Sequence, residues 1–491
     1  MPINAASTSS DLNGDFPVFA DGLSRAEAEV HGVSSASIDA FLQEAGALGV
    51  ELNSFMIWRR GDVIAEGWWS PYRPDRRHMM HSATKSFLSA AVGLAIAEGR
   101  FSLQDRVVSF FPEHLPAVPS PHLALMTVED LLTQTCGHSH GTSGAQWRGI
   151  PTSWIAEFFK IPIPYEPGAA FRYTSATSFM LSAIISKTTG QSAHDYLRPR
   201  LLEPMGVDDF AWDVGPENIN PGGNGASCRT SDLLKLAILH LRGGVWNGQR
   251  LLPEDWIASV TSAKRGNPYG YHWWIGPGGA FYAYGVFGQF AFVFPEQEAI
   301  VTFTAATPYG EETLRSLVWH HLPALFGDAP LPATPADLAA KARWRTLRLL
   351  PALEVSNAAI VSAINGKTII AALNQDGVHA LRLDFDGDIC RFHLEDAKGA
   401  HEVEVGLADW VESDTTISGA ALHHGYEPQS LRVVAGGRWL DETTFEMTWQ
   451  FVETAFRDRV VLRFDGDTVT LDRTVNTNSL STARPRICGM F

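Results

Sequence analysis

Two side chains that could act together in catalysis, Ser82 and Lys85, lie three residues apart in this chain. The apolar residues that follow keep helical spacing as far as Gly99, which predicts a helix over residues 82–98. Because residues i and i+3 lie on one face of a helix, the serine oxygen and the lysine nitrogen can come within hydrogen-bonding distance. The spacing therefore predicts a serine nucleophile that is activated by an amine.

The same pattern has a second interpretation, in which the serine caps a surface helix and the lysine is solvated. A single S-x-x-K motif is a weak signal, although Ser82 and Lys85 form the only one among the eight lysines of this chain. Met80 stands where the G-x-S-x-G nucleophile elbow of an α/β-hydrolase needs glycine, so that elbow is excluded. Other residues must decide between the two interpretations.

Tyr173 is a third candidate for the same site. It follows a turn at Glu166-Pro167-Gly168 and precedes an apolar helical run, so its phenol can point into a cleft. Beside a lysine ammonium a phenol becomes a stronger acid, and its anion can accept the serine proton. Most isolated tyrosines serve in packing, so this role depends on the neighbouring motifs.

The composition indicates a globular enzyme. The chain has 491 residues, 45% of them hydrophobic and 19% charged, enough for a large core and two or three domains. Its net charge of −16 argues against binding to nucleic acid or to an anionic membrane surface. We find no run of eighteen apolar residues and no signal-peptide pattern at the start of the sequence. Four scattered cysteines predict free thiols, and we expect a cytoplasmic location.

Helical periodicity predominates up to about residue 326. A strand hairpin over 54–59 and 62–68 precedes Ser82, and three further strands are predicted near the end of this region. Strands at both ends of a helical region predict an α+β domain, in which helices flank one antiparallel sheet. The predicted helices are 35–48, 82–98, 127–134, 152–159, 176–189, 230–242 and 312–326, and the late strands are 281–284, 290–294 and 299–304.

After a proline-rich linker at 328–335 and a short helix at 336–349, the hydrophobic period changes to two. Short alternating runs between turn residues predict an all-β domain, either a barrel or a sandwich. The predicted divisions are an N-terminal extension over 1–24, the α+β domain over 25–327, the linker and helix over 328–350, and the all-β domain over 351–491.

Five motifs occur in a fixed order over roughly residues 25–326, and together they resemble the serine hydrolases of the class C β-lactamase and penicillin-binding-protein superfamily. Within it, the run from Tyr284 to Gln289 is similar to esterases and to nylon-oligomer (6-aminohexanoate-dimer) hydrolases. The resemblance implies a β-lactamase/transpeptidase-like fold and no metal or organic cofactor. The motifs are Ser82-x-x-Lys85, Leu131 to Gly137, Pro167-Gly168 with Tyr173-Thr174-Ser175, Pro204-Met205-Gly206, and Gly225-Ala226-Ser227 with Ser231-Asp232-Leu233.

The resemblance also implies roles for individual residues. Ser82 forms the acyl-enzyme, Lys85 polarises it, and Tyr173 acts first as general base and then as general acid. The backbone N–H groups of Ser82 and Val286 form the oxyanion hole, in which each donor contributes about 10²–10³ in rate. The expected substrate contacts are Ser175, Tyr284, Gly285, Trp274 and Trp147.

This sequence departs from the superfamily pattern at two positions. Ser175 stands where Asn is usual, and the triplet Ala283-Tyr284-Gly285 lacks the Lys or His that receives a substrate carboxylate. A neutral ester or amide is therefore the expected substrate.

Other residues allow more than one interpretation. Trp273 and Trp274 line the cleft or belong to the core, while Trp147, Trp154, Phe158 and Phe159 are expected to form an apolar lid. His138 and His140 lack a third ligand and are expected to be loop residues without a metal. Superfamily members that carry a lipocalin-like barrel offer a loose parallel for the C-terminal domain, whose role stays open.

The sequence thus predicts an esterase or amidase that acts on a small molecule. A D-amino-acid peptidase or a β-lactamase is the alternative among enzymes. A non-catalytic sensor or scaffold of the penicillin-binding type is the alternative from another class, and the presence of Ser82, Lys85 and Tyr173 together argues against it. Homo-oligomerisation is left open.

Overall fold

The computed structural model describes residues 20–308 and 311–491, so most of the predicted N-terminal extension (1–24) lies outside the described residues. Within them the helices are, in chain order, α1 (Ser35–Ala47), α2 (Thr84–Ala97), α3 (Val107–Phe110), α4 (Pro121–Leu125), α5 (Val128–Leu132), α6 (Gly144–Arg148), α7 (Trp154–Lys160), α8 (Ser175–Thr189), α9 (Ala193–Leu197), α10 (Thr230–Leu241), α11 (Glu254–Val260), α12 (Glu312–Leu325), α13 (Pro335–Trp344) and α14 (Val361–Ile364).

The first region contains a six-stranded antiparallel sheet in the order β2-β1-β11-β10-β9-β8, with a small sheet β3-β5-β4 and a hairpin β6-β7 beside it. The strands are β1 (Leu52–Arg59), β2 (Asp62–Trp68), β3 (His78–Met79), β4 (Ala211–Trp212), β5 (Ala226–Cys228), β6 (Val245–Trp246), β7 (Gln249–Arg250), β8 (Trp274–Ile275), β9 (Phe281–Gly285), β10 (Gln289–Phe294) and β11 (Ala299–Ala305).

This arrangement confirms the predicted α+β fold. The hairpin β1–β2 turns at Arg60 and Gly61, which both have positive φ, as a tight hairpin turn requires. The predicted strands from both ends of the region meet in the centre of the sheet, where β1 pairs with β11. Helices α1, α8, α10 and α12 match the predicted segments to within one residue at each end.

Helix α2 lies in the middle of the first region. Residues on all its faces are buried, so its hydrophobicity is not confined to one stripe, as expected for a helix that is surrounded by protein. The prediction placed its start at Ser82. Instead, α2 begins at Thr84, and Ser82 lies in a single 3₁₀ turn, His81–Ala83, directly before it.

The C-terminal region is a closed barrel of nine strands, so the predicted all-β domain is confirmed as a barrel. Its order is β15-β14-β13-β12-β21-β20-β19-β18-β17; β15 pairs with β17 to close it, and β16 pairs outside with β17. Its strands are β12 (Thr368–Ala371), β13 (Val378–Asp386), β14 (Ile389–Asp396), β15 (Gly399–Gly406), β16 (Val411–Thr415), β17 (Leu431–Asp441), β18 (Thr444–Phe451), β19 (Arg457–Asp465), β20 (Thr468–Val475) and β21 (Ile487–Met490).

The barrel packs directly against the chain that leads to Ser82. The backbone N–H of Met79 donates to the carbonyl of Glu453 at 2.8 Å, and the Tyr72 hydroxyl donates to the carbonyl of Thr454 at 2.7 Å. Met79 and Phe287 of the first region belong to the same hydrophobic cluster as the barrel interior. The barrel therefore supports the site region.

All four cysteines are free thiols, three buried and Cys488 exposed. No helix in the described ranges is both long and apolar enough to cross a bilayer.

Candidate active site

Ser82 is presented by a strained turn. His81 before it has φ 45°, a left-handed conformation that costs a non-glycine residue about 1–3 kcal/mol. The motif that contains Ala226 holds this turn in place. Its strand β5 pairs with β3, and the Met80 N–H donates to the Ala226 carbonyl at 2.8 Å. The Gly225-Ala226-Ser227 motif therefore positions the turn that carries Ser82.

Lys85 makes the predicted contact with Ser82. Its Nζ lies 3.2 Å from Ser82 Oγ and donates to the carbonyl of Gly223 at 2.8 Å. It also lies 4.7 Å from the centroid of the Tyr173 ring. The structure thus brings together the three residues that the sequence proposed for catalysis.

The Lys85 amine is buried, with 1% of the residue exposed. In the part of the chain that the structure describes, no carboxylate forms an ion pair with it. Burial lowers the pKa of Lys85 from its ordinary value of 10.5 to about 7. A large fraction of the amine is therefore neutral at physiological pH and able to accept a proton.

Tyr173 is held by a neighbouring loop. Arg172 N–H donates to the backbone carbonyl of Gln134 at 2.8 Å, and Thr174 N–H donates to the Gln134 side chain at 2.9 Å. Gln134 is fully buried, so the Leu131 to Gly137 motif supplies a fixed anchor for the backbone on both sides of Tyr173. The Tyr173 ring packs against Trp274 at 5.5 Å between centroids. This contact places Trp274 at the site, in agreement with the interpretation that it lines the cleft rather than the core.

Ser175 and Gly223 close the site around the amine. A Cβ atom added at Gly223 would lie 3.2 Å from Lys85 Nζ and 3.2 Å from the Cβ of Ser175. A side chain here would have to displace these neighbours by a few tenths of an ångström, so glycine suits the close approach in which the backbone accepts the lysine hydrogen bond. The sequence analysis missed Gly223, although the glycine-rich run 221–225 was a signal for a close backbone approach.

His272 is a second residue that the sequence analysis missed. Its ring nitrogens lie 3.0 Å from Ser178 Oγ and 3.1 Å from the carbonyl of Leu132, so it joins α8 to α5 beneath the site. Burial, with a smaller contribution from the Lys85 charge, lowers the pKa of His272 to about 3. It is therefore a neutral structural group.

Strand β9 runs against the nucleophile turn. A Cβ atom at Gly285 would lie 2.2 Å from the Met80 carbonyl oxygen, so this position must be glycine. Val286 follows directly and lines the same narrow pocket as Ser82, as an oxyanion-hole donor would. Tyr284 instead stacks on Phe290 at 5.0 Å between centroids and donates its hydroxyl to Glu311.

Several tryptophans belong to the core. Trp273 is fully buried, with its ring 4.5 Å from that of His240. Trp147 is 2% exposed and packs against both Trp154 and Phe179, so its position does not support the predicted substrate contact. The apolar lid is wrong for the same reason, because the aromatic residues of α6 and α7 pack inward against α8: Trp147, Trp154, Phe158 and Phe159.

His138 is buried rather than displayed on a loop surface, and it packs against Phe158. Among the residues that the structure describes, no group of His, Cys, Asp or Glu side chains could hold a metal ion.

A family profile described as Beta-lactamase matches residues 35–324. The chain belongs to this beta-lactamase family. Among curated relatives of this beta-lactamase-family chain, 6-aminohexanoate-dimer hydrolase of Paenarthrobacter ureafaciens is 25% identical over 287 residues, covering 52% of this chain and 73% of that protein. Esterase EstB of Burkholderia gladioli is 25% identical over 197 residues, which are 36% of this chain and half of that protein.

Solved structures share the fold. A Bacillus anthracis protein designated a 6-aminohexanoate-dimer hydrolase superposes with a TM-score of 0.53 at 18% identity, covering 62% of this chain and 86% of that one. EstCE1, a hydrolase with promiscuous acyltransferase activity, gives 0.50 at 17% identity, covering 60% and 99%. The family is thus one of beta-lactamase-fold serine hydrolases that includes esterases and amide hydrolases.

Replacing Lys85 by Met should stabilise the protein, and the gain should depend on pH. Below pH 7 the Lys85 amine is protonated in both states, so the native state is destabilised by the full cost of a buried ammonium. Between pH 7 and 10.5 the amine is protonated in the unfolded state but mostly neutral in the native state, so the stability of the wild type rises with pH. The advantage of Lys85→Met should therefore shrink by about 1.4 kcal/mol per pH unit in this window. Urea unfolding of both proteins from pH 6 to 10.5 measures the difference.

Lys235 provides the matched control, since it is equally buried but paired with Asp232 at 3.5 Å. Lys235→Met should destabilise, because it leaves the Asp232 carboxylate buried without its cation. A pH-independent effect of Lys85→Met would contradict the lowered pKa.

Proposed function

We propose that this protein hydrolyses neutral carboxylic esters or amides through an acyl-enzyme on Ser82. The observation that carries the proposal is the buried Lys85 amine, in contact with both the Ser82 oxygen and the Tyr173 ring. A surface helix cap would leave its lysine in water. The alternative of a non-catalytic scaffold offers no reason to bury an amine without a carboxylate partner.

The proposed reaction begins with transfer of the Ser82 hydroxyl proton to the Lys85–Tyr173 pair as Oγ attacks the substrate carbonyl carbon. The carbonyl oxygen becomes an oxyanion that accepts hydrogen bonds from Ser82 N–H and Val286 N–H. As the bond to the leaving group breaks, Tyr173 returns the proton to the departing alcohol or amine. Water then attacks the acyl-enzyme and gives a proton to the same pair. As the bond between the acyl carbon and Ser82 Oγ breaks, the pair returns this proton to Oγ, and the carboxylic acid leaves.

The preference for neutral substrates rests on the charges around the pocket. Ala283, at the position where related enzymes carry a cation, is buried against the core. Arg148 is a charged side chain at the pocket, but it is held by an ion pair with Asp213 and a hydrogen bond to Asn224. The names of the relatives, an amide hydrolase and an esterase, support the same substrate class.

Ser82→Ala should remove the activity and the covalent labelling together. We expect the rate of p-nitrophenyl acetate hydrolysis to fall by at least about 10³-fold and labelling by a fluorophosphonate probe to disappear, with the fold intact. Ser89→Ala, two turns along the same buried helix, is the control that should keep both. Mass spectrometry of the labelled peptide identifies the modified residue. Labelling of Ser82→Ala at wild-type level would refute the nucleophile assignment.

Lys85 and Tyr173 should act as one unit. Lys85→Ala and Tyr173→Phe should each slow acylation by orders of magnitude, but the double variant should be little slower than either, because one proton path is already broken. Pre-steady-state release of p-nitrophenol measures acylation in the three variants. Losses that multiply in the double variant would contradict the shared path.

Neutral substrates should be preferred over β-lactams. We expect kcat/KM for a neutral aryl ester to exceed that for nitrocefin by at least about 10²-fold, because the carboxylate of nitrocefin lacks a charge-assisted hydrogen bond in this site. The two substrates are compared on one preparation, with Ser82→Ala as the background. Efficient, Ser82-dependent nitrocefin turnover would instead favour the β-lactamase alternative.

A further inference from the structure

One loop of the barrel lines the pocket beside Ser82. Residues 416–430 connect β16 to β17, and the turn at Gly425 lies against α6 of the first region. A Cβ atom at Gly425 would lie 3.2 Å from Cα of Ala145, and Gly425 has φ 72°. Glycine therefore permits both the turn and the close approach. The ring of His424 lies 5.8 Å from that of His81, the residue before the nucleophile.

The loop forms one wall of the narrow pocket beside Ser82. His424 and Tyr426 line this pocket together with Ser82, Val286 and Arg148 of α6. The Arg148 guanidinium lies 5.5 Å from the centroid of the Tyr426 ring, which joins the loop to the first region a second time. Both loop side chains are only partly exposed, so they are packed rather than free in solution.

The wall is fixed from the barrel side. His424 Nδ1 lies 2.6 Å from Ser479 Oγ, and the neighbouring His423 is fully buried with Nε2 2.8 Å from Asp458 Oδ1. His424 has φ 54°, so its backbone is held in a conformation that only the surrounding contacts maintain. A wall fixed in this way can limit the size of what enters the pocket.

The chemistry of the proposed reaction assigns this pocket to one part of the substrate. The tetrahedral carbon bears Ser82 Oγ, the oxyanion, the leaving group and the acyl chain. The leaving group must face Tyr173, which is to protonate it, and neither Tyr173 nor Lys85 lines the pocket, whereas Ser82 and Val286 do. The oxyanion is a single atom that stays at the N–H groups of Ser82 and Val286, so the acyl chain is the substituent left to extend along the pocket toward His424 and Tyr426.

We propose that His424 and Tyr426 of the barrel loop are specificity-determining residues that close the acyl pocket and restrict the enzyme to short acyl groups. This inference rests on the proposed function, since it needs an acyl-enzyme on Ser82. It gives the barrel a direct part in substrate selection.

The test compares p-nitrophenyl esters of acetate, butyrate, hexanoate and octanoate. Wild-type kcat/KM should fall steeply beyond butyrate. His424→Gly removes the side chain while suiting the positive φ, and Tyr426→Ala removes the ring. Each should raise the hexanoate-to-acetate ratio of kcat/KM by at least about ten-fold, the scale of one or two methylene groups in a fitted pocket. Tyr426→Phe keeps the ring and should retain the wild-type ratio.

Two controls separate a pocket effect from general damage. His379→Ala changes an exposed histidine on β13 and should keep the wild-type chain-length profile. Acetate esters with leaving groups of different size should respond to His424→Gly by one common factor, because the leaving group lies on the other side of the carbonyl.

The outcomes distinguish the two proposals. Ser82-dependent turnover with an unchanged hexanoate-to-acetate ratio in both His424→Gly and Tyr426→Ala would overturn the acyl wall and leave the proposed function standing. A change confined to the leaving-group series would overturn the acyl assignment in the same way. Failure of the wild type to hydrolyse any of the esters through Ser82 would overturn both.

Discussion

The burial of the Lys85 amine is the constraint on which the rest of the site depends. Burial without a carboxylate partner lowers the pKa of the amine, and neighbouring groups must replace water as its hydrogen-bond partners. Here those partners are the Ser82 hydroxyl and the Gly223 carbonyl, with the Tyr173 ring beside them. Burying the amine destabilises the native state, and the large core around α2 offsets this loss. In return, the amine has about the right strength to act as a base at neutral pH.

The strained turn before Ser82 depends on both halves of the molecule. His81 keeps a left-handed backbone because its ring is packed among Phe287, Phe456 and His424, two of them contributed by the barrel. The hydrogen bond from Met79 N–H to the Glu453 carbonyl fixes the strand that enters the turn. The barrel is therefore part of the framework of the candidate site, and its removal would expose apolar surface next to Ser82.

Local patterns in the sequence predicted what depends on neighbours along the chain. The contact between Ser82 and Lys85 follows from helical spacing, and the alternating runs of the C-terminal region predicted an all-β domain, which is a barrel. The glycine-rich run 221–225 indicated a close backbone approach but not which residue it meets. The sequence could not reveal His272 or the loop 416–430 at the site, because long-range packing brings them there. It also misplaced Trp147, since an apolar residue in a loop-rich stretch looks the same whether it lines a cleft or fills a core.

The pKa of the Lys85 amine is the quantity that tests this account most directly. Two-dimensional NMR of protein labelled with ¹³C at the lysine Cε atoms gives one signal for each of the eight lysines, and the signal absent from Lys85→Met belongs to Lys85. The account predicts that this signal titrates with a midpoint near pH 7. A midpoint close to the ordinary lysine value of 10.5 would contradict the account, because the amine would then be a permanent cation and no base for Ser82.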